Sequence, residues 1–197
     1  MKFTIMFKTT GWILNHASKK AGIDKVTLEK VQKEYRTIVE RSSDIGVSNR
    51  LLGSYALAAY FIAMNRQSGL SVEENYRIMY DGLKASKLYK AAMGSADNYF
   101  SEKNMDSRRV WSQQTHERRY ANDWVVDVIE KTDDFEFGFD YTECGACKLF
   151  KDEGCFEWAH YLCALDFMTT EMMGVHLERT ETLAEGGDRC DFRFSRM

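Results

Sequence analysis

The chain has 197 residues, 44% of them hydrophobic, and its 27 basic and 30 acidic side chains give a net charge of −3. This length and composition are sufficient for a sizeable buried core and exclude a predominantly disordered chain. The small negative charge provides no general attraction to nucleic acid or to an anionic membrane, so the expected partner is a small molecule.

The sequence also indicates a compartment. The longest apolar run, at residues 55–64, is half of the roughly 20 residues that span a bilayer, and the amino terminus shows no signal-peptide pattern. Five cysteines are an odd number and are spaced unlike a disulfide framework. We therefore expect a cytoplasmic protein with free thiols and no membrane association.

Apolar residues at helical spacing predict three helices in the first half of the chain, over about 26–41, 51–66 and 72–92. The third begins with a capping box at Ser71. Residues 101–122 carry several arginines and few apolar positions, which predicts a connector or a surface helix. This half is expected mainly to provide packing.

The period of the apolar pattern changes in the second half. Residues 123–130 and 135–142 alternate between apolar and polar positions, which predicts two strands joined by a turn. A helix is predicted over about 155–173. The stretches "VHLERTETL" and "RCDFRFSR" then predict a second hairpin, with Gly186 and Gly187 as a tight two-residue loop.

The predicted fold class is therefore α+β: a helical N-terminal half packed on an antiparallel sheet of about four strands, made of two hairpins separated by a helix. We expect one domain over 1–197. Within it, 1–100 is mainly helical and 123–197 contains the sheet.

Candidate functional residues lie on the predicted last helix and last hairpin. Cys163 and Asp166, three residues apart, share one helix face, whereas Glu157 lies about half a turn round from Asp166. Strand alternation places Arg179 among apolar neighbours, where it needs either Asp166 or a ligand carboxylate as a partner. The tight loop would also pair Leu183 with Cys190. A buried cysteine is alternatively just a small apolar residue.

The C-x-x-C motif at 144–147 fits two metal ligands or a redox pair. Zinc requires about four ligands, and only Cys155 or His160 is available to complete the set. A thioredoxin-like role is disfavoured because the motif is not expected at a strand-to-helix junction. No metal or other cofactor is predicted.

The second half resembles the L-2-amino-thiazoline-4-carboxylic acid hydrolase family. The resemblance is most specific over residues 123–196. Its motifs are Cys147, Gly154-x-x-Glu157, Cys163-x-x-Asp166 and the terminal segment containing Arg179, Thr182, Gly186 and Cys190. The family reaction opens a cyclic isothiourea by hydrolysis to give an N-carbamoyl cysteine.

The resemblance implies roles for individual residues. Asp166 would bind the amidinium-like group of the substrate, Arg179 would clamp the substrate carboxylate, and Cys163 or Cys190 would attack the ring carbon. Thr182 would donate a hydrogen bond, with Cys147 and Glu157 in supporting positions. A cysteine near Arg179 is expected to have a lowered pKa, which favours a covalent route.

Several alternatives stay open at this point. Direct attack by water competes with the covalent route, and no histidine is placed as the base. A non-catalytic ligand-binding or sensory module is a second class of function. A zinc-stabilised interaction protein, with cysteines 144, 147 and 155 as ligands, is a third.

Overall fold

The computed structural model describes all 197 residues, and it confirms the α+β class. The helices are α1 Ile5–Lys20, α2 Lys25–Arg41, α3 Leu52–Gln67, α4 Val72–Ala85, α5 Lys87–Met93, α6 Ala96–Tyr99, α7 Glu102–Thr115, α8 Gly145–Asp152 and α9 Ala159–Met173. The strands are β1 Val125–Ile129, β2 Phe137–Glu143, β3 Val175–Glu178 and β4 Cys190–Arg196. None of the helices has the length and apolar character required to cross a membrane.

The central element of the helical half is α3. Every residue from Tyr55 to Met64 is buried, because α1, α2 and α8 pack around the helix on different sides. An all-round apolar helix of this kind belongs in a core, not at a surface. Helix α1 was not predicted, although its buried residues recur at spacings of three and four from Phe7 to Ser18.

The helix predicted over 72–92 is in fact two helices that meet at Ser86. Ser86 ends α4, and its hydroxyl accepts a hydrogen bond from the backbone N–H of Tyr89 in α5 (3.1 Å). Serine favours such an N-cap because its oxygen satisfies a free helix N–H. The predicted capping box at Ser71 is confirmed, with Glu74 as its reciprocal partner.

The sheet has the order β1-β2-β4-β3 and is antiparallel throughout. Phe137 pairs with Phe194 and Phe139 with Phe192, so aromatic side chains line one face. This face forms a second apolar cluster with Val126, Val175 and Leu177 from the other strands. Alternation therefore correctly predicted which side of β2 is buried.

The predicted tight loop at Gly186 and Gly187 is wrong. Strand β3 ends at Glu178, which pairs with Arg193, and residues 179–189 form a longer loop. The carboxylate of Asp191 accepts hydrogen bonds from the backbone N–H groups of Thr180 (2.9 Å) and Glu181 (2.8 Å). Because this side chain satisfies those groups, the chain leaves the sheet there.

The predicted pairing of Leu183 with Cys190 is replaced by a different contact. Leu183 begins a short 3-10 helix that ends at Glu185, and its backbone N–H donates to the Cys190 sulfur at 3.2 Å. Gly186 ends this turn with φ +87°, a left-handed conformation that glycine adopts without strain. The loop thus covers the start of β4 instead of extending the hairpin.

Candidate active site

A cavity of about 620 Å³ lies between the helical half and the cysteine-bearing half of the chain. Of its 29 lining residues, 22 are hydrophobic. The lining comes from α1, α3, α4, α5, α8 and α9, from loop residues such as Trp124 and Cys144, and from Tyr141, Cys190 and Phe192 of the sheet. A concave, mostly apolar space with a few polar groups is the usual form of a small-molecule site.

Cys144 is placed at the start of α8 by the strand that precedes it. It follows the end of β2 directly and is the N-cap of α8, where its sulfur accepts a hydrogen bond from the backbone N–H of Cys147 at 3.5 Å. The Cys147 thiol and the N–H groups of Cys147 and Ala146 lower the pKa of the Cys144 thiol despite its burial. A helix N-terminus favours a thiolate in this way.

Gly145 makes this approach of α8 possible. A Cβ atom at this position would lie 2.4 Å from the Asn122 carbonyl oxygen and 2.8 Å from the Trp124 ring. The helix start therefore packs directly on the segment before β1, and Trp124 itself lines the cavity.

Cys147 donates to Cys144 and is buried, and both effects raise the pKa of the Cys147 thiol.

Cys163 and Cys190, the two cysteines predicted as nucleophiles, line the same cavity. Burial raises the pKa of Cys163 well above its usual range and that of Cys190 to about 12. The charge of Arg179 acts in the opposite direction on both thiols, but burial outweighs it. The prediction that Arg179 would produce a low-pKa thiol is therefore wrong for these two cysteines.

Asp166 also lines the cavity, and its partner is Arg179. Arg179 donates to the Asp166 carboxylate at 2.7 Å and to the Cys163 carbonyl oxygen at 3.1 Å. Its guanidinium lies about 5 Å from the ring centres of Phe167 and Phe192. Only 5% of the Arg179 side chain is exposed, against 41% for Asp166. Two partners were predicted for Arg179, the Asp166 carboxylate or a ligand carboxylate, and the structure pairs it with Asp166.

The Asp166 carboxyl is poorly solvated because its accessible surface lies in an apolar cavity. Burial raises its pKa to about 6, and Arg179 only partly opposes this shift. Arg179 itself does not line the cavity. Its guanidinium is hydrogen-bonded to Asp166 and to the Cys163 carbonyl oxygen, so Arg179 holds the Asp166 carboxylate in place.

Two other predicted residues lie away from the cavity lining. The Thr182 hydroxyl donates to the Glu185 carboxylate at 2.8 Å and accepts from the Glu185 N–H at 3.2 Å, so it caps the short 3-10 turn. Glu157 is exposed in the turn before α9. Neither is brought together with Cys163, Asp166 and Cys190.

The sequence analysis missed two polar features of the cavity. Arg50 lines it with no carboxylate partner: its guanidinium donates to the Ser107 hydroxyl and lies 5.7 Å from the Trp111 ring centre. Tyr89 and Thr169 also line the cavity and share a hydrogen bond of 3.0 Å. An arginine just before an apolar helix is predicted to be a surface residue, so nothing in the local sequence indicates that Arg50 lines a cavity.

The charged groups of the cavity also act on the pKa values of two tyrosines, Tyr99 and Tyr141. Burial raises the pKa of Tyr99 to about 12, and the charges of Asp166 and Arg50 both act on it. Tyr141 likewise has a raised pKa, chiefly because of burial, with contributions from Asp166 and Cys144. Both tyrosines are therefore neutral at pH 7.

The C-x-x-C motif is at a strand-to-helix junction, contrary to the sequence expectation. No three His, Cys, Asp or Glu side chains are grouped closely enough to hold a metal ion. All five cysteines are free thiols. The motif thus places one thiol at a helix N-terminus and provides no metal-ligand set.

Comparison with known families agrees with the resemblance noted in the sequence. The family model of L-2-amino-thiazoline-4-carboxylic acid hydrolase matches residues 49–194, from the start of α3 to the last strand. The matched range includes Arg50, Cys144, Asp166 and Arg179 and leaves out α1 and α2. No curated protein and no solved structure matches the chain. The chain belongs to the L-2-amino-thiazoline-4-carboxylic acid hydrolase family.

Proposed function

We propose that this protein is a small-molecule hydrolase that opens a cyclic isothiourea or a related cyclic amidine-like ring to an N-carbamoyl product. One observation carries the proposal: the Cys144 thiol, activated at the start of α8, and the Asp166 carboxylate line the same cavity. Cys144 takes the nucleophilic role that the sequence analysis assigned to Cys163 or Cys190.

Substrate binding uses two opposite charges. The amidinium-like group of the substrate pairs with Asp166, whose orientation is fixed by Arg179. The substrate carboxylate pairs with Arg50, whose guanidinium has no acidic partner in the protein. This assignment replaces Arg179 as the carboxylate anchor, because Arg50 lines the cavity and Arg179 does not.

The chemistry then proceeds in two balanced steps. The Cys144 thiolate adds to the ring carbon that lies between nitrogen and sulfur, and the bond from that carbon to the ring sulfur breaks. The ring sulfur leaves and takes the proton that the substrate amidinium carried, and the carbon stays attached to Cys144 as a neutral isothiourea. Water next adds to this carbon and the Cys144 thiolate is expelled, which leaves a carbamoyl group on the nitrogen.

The surrounding groups suit both steps. The N–H groups at the start of α8 stabilise the Cys144 thiolate as nucleophile and as leaving group. With a pKa of about 6, Asp166 is ionised at neutral pH and accepts a proton from the attacking water. No histidine is required as the base.

The test is turnover of L-2-amino-thiazoline-4-carboxylate, followed as the N-carbamoyl product by mass spectrometry. Cys144→Ser should lower the rate at least about a thousandfold, because a hydroxyl in the same place is not ionised at neutral pH. Acid quenching of the wild type should trap an adduct on the peptide that contains Cys144.

The matched control is Cys155→Ala. Cys155 is buried, has a pKa raised to about 11 and does not line the cavity, so turnover per folded protein should be unchanged. Wild-type turnover by Cys144→Ser, together with inactivity of Cys163→Ser, would transfer the nucleophile role to Cys163.

A second candidate function is a binding module that holds a small ligand without turnover. The mostly apolar lining of the cavity favours it. Saturable binding of the test substrate with no product and no adduct on Cys144 would favour this function over the hydrolase.

A further inference from the structure

The cavity is too large for the substrate that gives the family its name. L-2-amino-thiazoline-4-carboxylate has about nine non-hydrogen atoms, whereas pockets of about 300–1,000 Å³ accommodate drug-sized ligands. At about 30 Å³ for each water-sized group, the volume of about 620 Å³ holds about 20 such groups. Roughly half of the space is therefore available to another part of the ligand.

This additional space has apolar walls. The proposed chemistry uses Cys144, Asp166 and Arg50, and most of the other lining residues are hydrophobic. Water gains few hydrogen bonds in such a space, and burial of an apolar ligand group there is favourable. The lining thus favours a hydrocarbon-like substituent over a second charged or sugar-like group.

The wall formed by α3 is shaped to leave this space open. From Tyr55 to Met64 the helix is buried, but Gly53 and Ser54, immediately before this stretch in the first turn of α3, line the cavity. A Cβ atom added at Gly53 would meet only the Met6 sulfur, at 3.8 Å. Glycine destabilises a helix relative to alanine, so an uncrowded helical glycine here costs stability and leaves volume free.

The mouth of the cavity carries large apolar side chains in addition to the exposed Arg50. Three of its lining residues are large, exposed hydrophobic side chains: Ile5 (76% exposed), Met6 (42%) and Leu88 (49%). By contrast, Cys147 (6%) and Cys190 (4%) mark the buried end. The apolar surface is thus continuous from the neighbourhood of Cys144 to the solvent.

We propose that the substrate of this protein is amphipathic: a cyclic amidine-like head that carries an apolar chain or ring system. The head lies at Cys144 and Asp166, and the apolar part runs along α3 past Gly53 towards Met6 and Leu88. This inference rests on the proposed ring-opening function for the nature of the head group. The apolar part depends only on the shape and lining of the cavity.

Binding of straight-chain alkylamidinium chlorides, from acetamidinium to decanamidinium, tests the inference by titration calorimetry without any turnover. Each added methylene should increase the affinity about fourfold while the chain still has apolar wall to contact. The affinity should then stop rising once the chain reaches the mouth. One ligand should bind per chain.

A cavity-filling variant sharpens the test. Gly53→Leu places a side chain in the free volume, and its backbone is helical, so the fold should be kept or stabilised. Decanamidinium affinity should fall at least tenfold, whereas acetamidinium affinity should stay unchanged. Gly53→Ala should give a smaller loss in the same direction.

The matched control is Ala91→Leu on α5, an exposed position outside the cavity lining, which should bind the whole series as the wild type does. Affinity independent of chain length, or equal losses for short and long chains in Gly53→Leu, would overturn the inference. If the affinity rises with chain length but the turnover assay shows no ring opening, this inference is kept and the proposed function is rejected.

Discussion

Two carboxylates in the C-terminal half, Glu153 and Asp166, are both held by arginines but have opposite electrostatic properties. Glu153 is desolvated, yet hydrogen bonds from Arg41 and Arg66 outweigh burial and keep its pKa below the usual value. Asp166 is desolvated by the cavity and has only Arg179, so its pKa rises to about 6. The number of donors for each desolvated carboxylate, not the presence of an ion pair, separates the two.

The difference indicates two tasks. The Glu153 side chain is 6% exposed, and its arginines come from α2 and α3, so this cluster joins the helical half to the end of α8. The Asp166 side chain is 41% exposed, and the residue lines the cavity. A fully satisfied carboxylate stabilises a fold, whereas a partly satisfied one near neutral pKa is suited to bind a cation or move a proton.

The largest effect is expected for Asp166→Asn. Turnover of the test substrate should fall about 10²–10⁴-fold, because the amide neither pairs with the amidinium nor accepts a proton from water. The thermal midpoint should change little, since the amide still accepts a hydrogen bond from Arg179. A loss of turnover that follows only the loss of folded protein would make Asp166 a packing residue.

Glu153→Gln should show the reverse pattern. The amide keeps the shape but loses the charge that two arginines satisfy, so the free energy of unfolding should fall by about 1.5–3 kcal/mol. For a chain of this size, about 2–4 °C of thermal midpoint corresponds to each kcal/mol. Turnover per folded molecule should equal that of the wild type. Denaturant unfolding and initial rates on the same preparations provide both numbers.

The sequence predicted the fold where the apolar pattern has one clear period. The alternation at Phe137, Phe139 and Tyr141 correctly predicted the buried face of β2. The antiparallel pairing of β3 and β4 was predicted, but the length of the loop between them was not, because the Asp191 side chain replaces strand hydrogen bonds with contacts to Thr180 and Glu181. A long-range side-chain contact of this type leaves no periodic signal.

The same limit explains which site residues were predicted. Cys163 and Asp166 follow from helix geometry, and both line the cavity. Cys144 depends on α8 beginning at a cysteine, and cysteine is not among the preferred N-cap residues. Arg50 depends on the absence of a carboxylate near it in the folded chain. Neither feature can be predicted from the spacing of residues along the chain.

The two carboxylates should also respond oppositely to pH. Because the folded pKa of Asp166 is raised from 3.8 to about 6, its contribution to stability is present below about pH 3.8 and is lost as the pH rises through about 6. Glu153 has a lowered pKa, so its contribution is present above its usual value of 4.5 and is lost as the pH falls. Relative to the wild type, the thermal midpoints of Asp166→Asn and Glu153→Gln should therefore change with pH in opposite directions across this range.

Of these two carboxylates, only Asp166 should affect the pH dependence of turnover. The rate should fall about tenfold per pH unit below about pH 6, because protonation removes the carboxylate that binds the amidinium. Glu153→Gln should keep the same profile. A wild-type rate that is flat from pH 5 to pH 7 would contradict the assignment of Asp166.

The smallest effect is expected for Arg179→Lys. Lysine keeps the positive charge beside Asp166, but it cannot donate to both the Asp166 carboxylate and the Cys163 carbonyl oxygen with the fixed geometry of the guanidinium fork. If Arg179 orients Asp166 and does not bind substrate directly, the maximal rate should fall about tenfold while the Michaelis constant changes little. The acid limb of the pH profile should shift, since the group beside Asp166 has changed. Arg66→Lys, beside Glu153, is the matched control and should alter neither value nor the profile. A large rise of the Michaelis constant with an unchanged maximal rate would instead make Arg179 the substrate clamp that the family resemblance implied.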